Sequence, residues 1–403
     1  MKTYIVGGAV RDALLGLPVQ DRDFVVVGAS PEEMLAKGYL PVGKDFPVFL
    51  HPKTHDEYAL ARTERKTAAG YKGFVFHTDA DVTLEEDLIR RDLTINAMAQ
   101  DDAGNIIDPY GGLRDLHDRV FRHVSMAFCE DPVRILRLAR FAARFAIPPQ
   151  NFHVAEETTS LMQGMVADGE VDALVAERVW QELSRGLMEA RPSRMFAVLR
   201  SCGALQRLLP ELNALFEPGT ASERGQQLMQ ILDATASHAS HRQALSTRFA
   251  ILLHDLALVP AGSDTLSVEK LRVKLADGIC QRLKVPAECR DMAVMLAREH
   301  LHIKDAASLS AADTVDLLTR CDALRKPERF LEMLNACACL FLEELATDTV
   351  FAPQLQLSQA LDIVLKVNGG EIASLYAAQP QQIPIAIRAG RINALEAASN
   401  AQQ

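Results

Sequence analysis

Over the first third of the chain, apolar residues come in short β-branched runs broken by glycine and proline. Tyr4-Ile5-Val6 reads as a strand, Gly7-Gly8 as a tight turn, and Ala9 to Leu15 as a helix that stops at Gly16. Phe24-Val25-Val26-Val27 is a second strand, closed by Gly28. Pro47-Val48-Phe49-Leu50 and Glu57-Tyr58-Ala59-Leu60-Ala61 are two more, with Pro52-Lys53-Thr54-His55 as the turn between them. Short strands this close in sequence predict a small sheet with antiparallel pairs. From about residue 130 the period changes. Ile135, Leu138, Ala139 and Ala142 recur at helical spacing, and strands are hard to find from there to the end. The pattern predicts an α+β fold: a mixed or antiparallel sheet region over 1–140, then helical blocks over 141–215, 216–345 and 346–403. Residues 216–224, Phe-Glu-Pro-Gly-Thr-Ala-Ser-Glu-Arg, are the best linker candidate. No internal repeat is visible.

A length of 403 residues fits roughly two to four domains. No apolar run reaches the roughly 18–20 residues a membrane-spanning helix needs, and no signal-peptide core follows Met1. A cytoplasmic protein without a membrane partner is expected. The seven cysteines are scattered, with no Cys-x-x-Cys pair, which argues against zinc and for free thiols. A net charge of −10 argues against non-specific coating of nucleic acid, but not against a local basic groove.

Candidate chemistry starts at Asp21-Arg22-Asp23, which opens the Phe24–Val27 strand. Strand residues i and i+2 face the same side, so Asp21 and Asp23 present paired carboxylates. Such hard oxygen ligands suit Mg²⁺, and two ions about 3.5–4 Å apart can clamp a phosphoryl transfer. The alternative is a solvated strand start. The upstream glycine turn sharpens the choice, because Gly7 and Gly8 let backbone N–H groups approach a phosphate. Arg11, in the first turns of the following helix, could grip a triphosphate.

These residues carry a resemblance. Ile-Val-Gly-Gly-Ala-Val-Arg-Asp-Ala-Leu-Leu-Gly followed by Asp-Arg-Asp-Phe-Val resembles the head of the class II nucleotidyltransferases, a family of tRNA CCA-adding enzymes and bacterial poly(A) polymerases. Arg90-Arg91-Asp92-Leu93-Thr94-Ile95-Asn96-Ala97 resembles its ribose-recognition motif, Asp108-Pro109-Tyr110-Gly111-Gly112 the loop that follows, and Glu130-Asp131-Pro132-Val133-Arg134 its nucleotide-choosing motif. The likeness is strongest over 1–145 and continues weakly through Glu177-Arg178-Val179-Trp180. It implies a nucleotidyltransferase head, then a helical neck, body and tail. Length and N-terminus resemble a bacterial CCA-adding enzyme, which implies addition of C, C and A to tRNA lacking its 3′ CCA, from CTP and ATP with Mg²⁺.

The resemblance also implies residue roles. Asp21 and Asp23 hold metal and are catalytic. Glu57 is the candidate third carboxylate, with Asp56 its competitor. Gly8 and Arg11 serve the nucleotide. Arg91, Asp92 and Asn96 bind its sugar and phosphates; read without the family, Asp92 and Asn96 at i, i+4 are a charged helix face. Asp131 and Arg134 act as a protein template. The carboxylate accepts from the exocyclic amine of cytosine or adenine, and the arginine donates to the ring acceptor. Guanine and uracil offer a carbonyl in the amine's place. Arg137 and Arg140, at i+3 steps from Arg134 on one helix, reach the triphosphate or the primer end; the alternative is a basic outer face.

Some bacterial CCA-adding enzymes carry a His-Asp phosphohydrolase domain, and His254-Asp255 stands after the apolar run Phe249–Leu253. The lysine and histidines expected after that pair are missing from Leu256-Ala257-Leu258-Val259-Pro260-Ala261-Gly262-Ser263, and Gln226-Gln227 stands where an upstream histidine belongs. His300 and His302 remain. A degenerate site is expected, its helices kept as a tRNA-holding scaffold. The alternatives are a poly(A) polymerase, an enzyme adding only CC or only A, and a His-Asp phosphohydrolase.

Overall fold

The computed structural model describes residues 1–400, apart from 43–47, 67–73, 78–80, 147, 219, 238–242, 259–263 and 342–349. The chain forms two compact units, Met1–Gly186 with Arg194–Leu208, and Leu187–Ser193 with Leu209–Gln403.

The first unit opens with β1 (Lys2–Val6), α1 (Gly8–Leu14), β2 (Asp23–Val27), α2 (Pro31–Ala36), β3 (Leu40–Val42), β4 (Val48–Leu50) and β5 (Glu57–Leu60). A separate hairpin, β6 (Thr63–Lys66) with β7 (Phe74–His77), precedes α3 (Leu84–Ile89), β8 (Ala99–Gln100), β9 (Ile106–Ile107) and α4 (Gly112–Asp118). The main sheet runs β3-β4-β5-β2-β1-β8-β9. Its pairs are antiparallel except β2 with β5, where Asp23 stands beside Glu57. The sheet is therefore mixed. Between β2 and β5 lie α2 and the β3–β4 hairpin, long enough for the crossover that a parallel pair needs. Strand β2 is covered on both faces. Val25 packs with Val6, Leu88 and Ala99, and Val26 with Met34, Phe49 and Leu60. That double burial explains an unbroken valine run where a one-sided strand would alternate.

Three longer helices follow: α5 (Val133–Arg144), α6 (Glu156–Ala167) and α7 (Ala176–Leu187). Helix α5 buries Ile135, Leu138, Ala139 and Ala142, the residues whose spacing announced it, together with Leu136.

The second unit is helical throughout its described residues. Its helix Leu245–Leu253 buries every residue from Ser246 to Leu253. Arg248 lies inside it at 1% exposure and donates to the carbonyls of Leu187 at 2.8 Å and Thr235 at 3.1 Å. The proposed linker 216–224 is mostly the start of a helix, Thr220–Ser237, with Gly219 outside the described residues. No described helix is long and apolar enough to cross a membrane, and all seven cysteines are free.

Candidate active site

Asp23 is the first residue of β2, and Asp21 stands just before it, both exposed. Partners in register project to one face of a sheet, so Glu57 shares the face of Asp23. Asp56 belongs to the turn before β5, where its carboxylate accepts from the Thr54 hydroxyl at 2.6 Å. The Asp23 carboxyl is raised above its ordinary value, first by desolvation and also by the charge of Asp21, with Arg91 acting against both. Among the described residues, no three His, Cys, Asp or Glu gather closely enough to hold one metal ion. Glu57 therefore shares a face with the Asp21–Asp23 pair without closing a three-carboxylate cluster.

Gly7 caps α1 at φ +70° and ψ −128°, a conformation that costs an L side chain dearly. A Cβ there would also stand 2.9 Å from Arg91 Nη1. The glycine turn thus makes room for an arginine. Arg91 follows α3 and donates to Asp87 Oδ2 at 3.2 Å, while Arg90 donates to Asp87 Oδ1 at 3.1 Å.

Behind this face lies a buried polar chain. Arg11 is 3% exposed, donates from Nε to Asp12 Oδ1 at 2.8 Å and from Nη1 to Asn96 Oδ1 at 2.6 Å, and lies over the rings of Phe141 and Phe145. Asn96 Nδ2 donates to Asp92 Oδ1 at 2.9 Å, and Arg137 Nε to Asp92 Oδ2 at 3.0 Å. Arg144 Nη2 closes the chain on Asp12 Oδ2 at 2.9 Å. Burial opposes the charge of Asp92, but Arg137, Asn96 and Arg134 outweigh it and hold the carboxyl well below its ordinary value. Asp92 and Asn96 meet although no α-helix links them. Helix α3 ends at Ile89, and residues 94–96 form a 3₁₀ turn. The expected helix face is a bent loop with a direct side-chain bond.

Asp131 precedes α5 and accepts a bidentate pair from Arg178 on α7, at 3.0 Å and 2.7 Å. Its Oδ1 also accepts from the Val133 N–H at 3.2 Å. Arg134 Nη1 donates to the Ala127 carbonyl at 2.9 Å. Two more of the expected nucleotide ligands have partners within the protein. Arg140 Nε donates to Glu182 Oε2 at 2.6 Å. Arg11 is flanked by Asp12, Asn96 and two phenyl rings, and its Nη2 lies 3.4 Å from where a Cβ on Gly8 would stand, against the glycine turn.

Against known proteins, a family model for the poly A polymerase head domain matches residues 3–122. A model described as the probable RNA and SrmB-binding site of polymerase A matches residues 151–216. The multifunctional CCA protein of Janthinobacterium sp. (strain Marseille) is 59% identical, over 100% of this chain and 99% of that protein. The chain belongs to the multifunctional CCA protein family. A second family member, from Herminiimonas arsenicoxydans, is 58% identical over 99% of each chain. A solved tRNA-processing enzyme with CTP is 26% identical with a TM-score of 0.58, covering 97% of this chain and 96% of that one. The Bacillus stearothermophilus CCA-adding enzyme in complex with CTP shares the fold at a TM-score of 0.64, with 22% identity over 96% of this chain and 88% of that one. The class II nucleotidyltransferases, among which this family falls, work with a divalent metal ion. Asp21 and Asp23 suit one: they are carboxylates two positions apart, and a cation would offset the desolvation and the Asp21 charge that together raise Asp23.

Elsewhere in this multifunctional CCA protein family member, Asp255 is occupied by arginines. Oδ1 accepts from Arg272 Nε at 2.7 Å, and Oδ2 pairs with Arg224 at 2.9 Å. His254 Nδ1 lies 2.8 Å from the Ile251 carbonyl, and its ring meets that of His300 edge-on at 5.2 Å. The stretch 259–263 after the His-Asp pair lies outside the described residues. Sequence reasoning gave no role to Asp12, Asp87, Arg144, Arg178 and Glu182. Asp12 and Arg178 stood inside stretches that carried the likeness; Asp87, Arg144 and Glu182 did not.

Proposed function

We propose that this chain adds C, C and A to the 3′ end of tRNA from CTP and ATP, releasing diphosphate at each step. The full-length identity with proteins named for CCA carries this reading. The tRNA 3′ hydroxyl oxygen forms a bond to the α-phosphorus of the nucleotide, the bond to the bridging oxygen breaks, and diphosphate leaves. Asp21 and Asp23 would hold Mg²⁺, which when bound lowers the cost of the attacking and leaving oxygens' charge. Glu57, on the same face, is the candidate third carboxylate. Gly8 lets a phosphate approach the backbone, and Arg91 faces it. Asn96 and Asp92 order the ribose wall. Arg137, part-exposed on Asp92, would meet the triphosphate or the primer end, with Arg11 and Arg140 as the further cations of the nucleotide site.

Base choice falls to Asp131 and Arg134. Arg178 fixes the Asp131 carboxylate, yet a carboxylate has about four acceptor sites, so room remains for an exocyclic amine. Arg134, held at Nη1 by the Ala127 carbonyl, would donate to the ring acceptor. We further propose that residues 1–140, 141–215, 216–345 and 346–403 serve as head, neck, body and tail, and that the protein works in the cytoplasm. Asp21→Asn and Asp23→Asn should each abolish nucleotide addition while leaving the melting temperature and tRNA binding near wild type. Retained turnover in either would overturn the metal reading.

A further inference from the structure

We infer that Asp87 is a positioning residue for the incoming nucleoside triphosphate: its buried carboxylate holds the Arg91 guanidinium in front of the glycine turn, beside Asp23. The inference rests on the reading of Arg91 as a triphosphate-binding cation. Asp87 is 1% exposed on the last turn of α3, with Leu84 and Leu88 of the same helix also buried. A leucine at such a place would pack without charge. Burying a carboxylate there is unfavourable until cations meet it, and buried ion pairs are weak contributors to stability. The pair is better explained by what it aims. Asp87 Oδ2 accepts from Arg91 Nη2 at 3.2 Å, on one side of the guanidinium. On the other side, Arg91 Nη1 reaches the Asn96 carbonyl at 3.5 Å and occupies the space that a Gly7 Cβ would need. Arg91 Nε is buried with no hydrogen-bond partner among the described residues. A long arginine held at its tip has already lost rotamer freedom that it would otherwise lose on meeting a phosphate.

The test is calorimetric titration of CTP with Mg²⁺, without tRNA, on Asp87→Asn, Arg91→Ala and the double variant. We expect Asp87→Asn to weaken CTP binding about ten-fold, the scale of one charge-assisted hydrogen bond. Arg91→Ala should weaken it at least as much, and the double variant no more than Arg91→Ala alone. Affinity for tRNA should not change. Unchanged CTP affinity in Asp87→Asn, with Arg91→Ala impaired, would overturn the role of Asp87 and leave that of Arg91. An equal loss from Asp87→Asn in the Arg91→Ala background would also overturn it, since Asp87 would then act independently of Arg91. Wild-type affinity in Arg91→Ala would remove the reading of Arg91 itself. If Asp87→Asn melts below the assay temperature, Asp87→Glu keeps the charge but displaces the carboxylate, and the same comparisons apply.

Discussion

At the scale of single residues, the proposed choice of base depends on how Asp131 is held. Both its oxygens face Arg178, at 3.0 Å and 2.7 Å, so the carboxylate cannot rotate freely to accept from a carbonyl-bearing base in another pose. Asp131→Ala should raise misincorporation of UTP and GTP by about ten- to hundred-fold relative to CTP and ATP, since one charge-assisted hydrogen bond is lost. Steady-state kcat/KM for all four nucleotides checks this; a uniform fall with discrimination unchanged would assign Asp131 to the fold instead. The position of Asp131 beside α5 was legible in the sequence because the Glu-Asp-Pro-Val-Arg stretch is contiguous. Its partner was not, since 47 residues separate Asp131 from Arg178 and no spacing rule spans that gap. The surroundings of Arg11 were hidden for a related reason: the rings of Phe141 and Phe145, over which its guanidinium lies, stand far along the chain.

At the scale of elements, periodicity served the helices well and the connecting loops poorly. Helix α5 announced itself through its buried stripe, and β2 through its valines. The 92–96 loop did not, because its i, i+4 spacing imitates a helix while Asp92 and Asn96 are joined by a side-chain bond. The Asp108–Gly112 turn holds this loop in place. Asp108 accepts from the N–H groups of Gly112 at 2.7 Å and Leu113 at 2.9 Å, and Asp115 on α4 accepts from the Thr94 hydroxyl at 2.7 Å. A Cβ on Gly112 would stand 2.3 Å from the Thr94 carbonyl oxygen. Gly112→Ala should therefore push α4 off the loop, costing about 1–3 kcal/mol of stability and weakening nucleotide binding together. Thermal melting and CTP titration check the pair; loss of stability with CTP affinity intact would separate the turn from the site.

At the scale of the whole molecule, the body carries its own electrostatic signature. Burial, then the neighbouring His254, lowers His300 from 6.5 to about 4, with Arg272 adding to the fall and the Leu296 carbonyl and Asp255 opposing it. The folded state thus takes up this proton later than the unfolded chain does. Stability should fall as pH drops from about 6.5 through about 4, by about 2–3 kcal/mol, and His300→Gln should flatten that slope in melts across the range. The arginines on Asp255 carry a further expectation. Arg224 and Arg272 on its oxygens would compete with a metal ion for Asp255, so the purified protein is expected not to hydrolyse a 2′,3′-cyclic nucleotide when Ni²⁺, Co²⁺ or Mg²⁺ is added. Metal-stimulated hydrolysis that disappears in His254→Ala would contradict this. The central claim is tested most directly by sequencing the products formed on tRNA lacking its 3′ CCA, with Mg²⁺ and defined nucleotides. CTP alone should yield C-C, CTP with ATP should yield C-C-A and stop, and UTP or GTP should yield nothing. A run of adenosines from ATP alone, or no addition from CTP, would contradict the account.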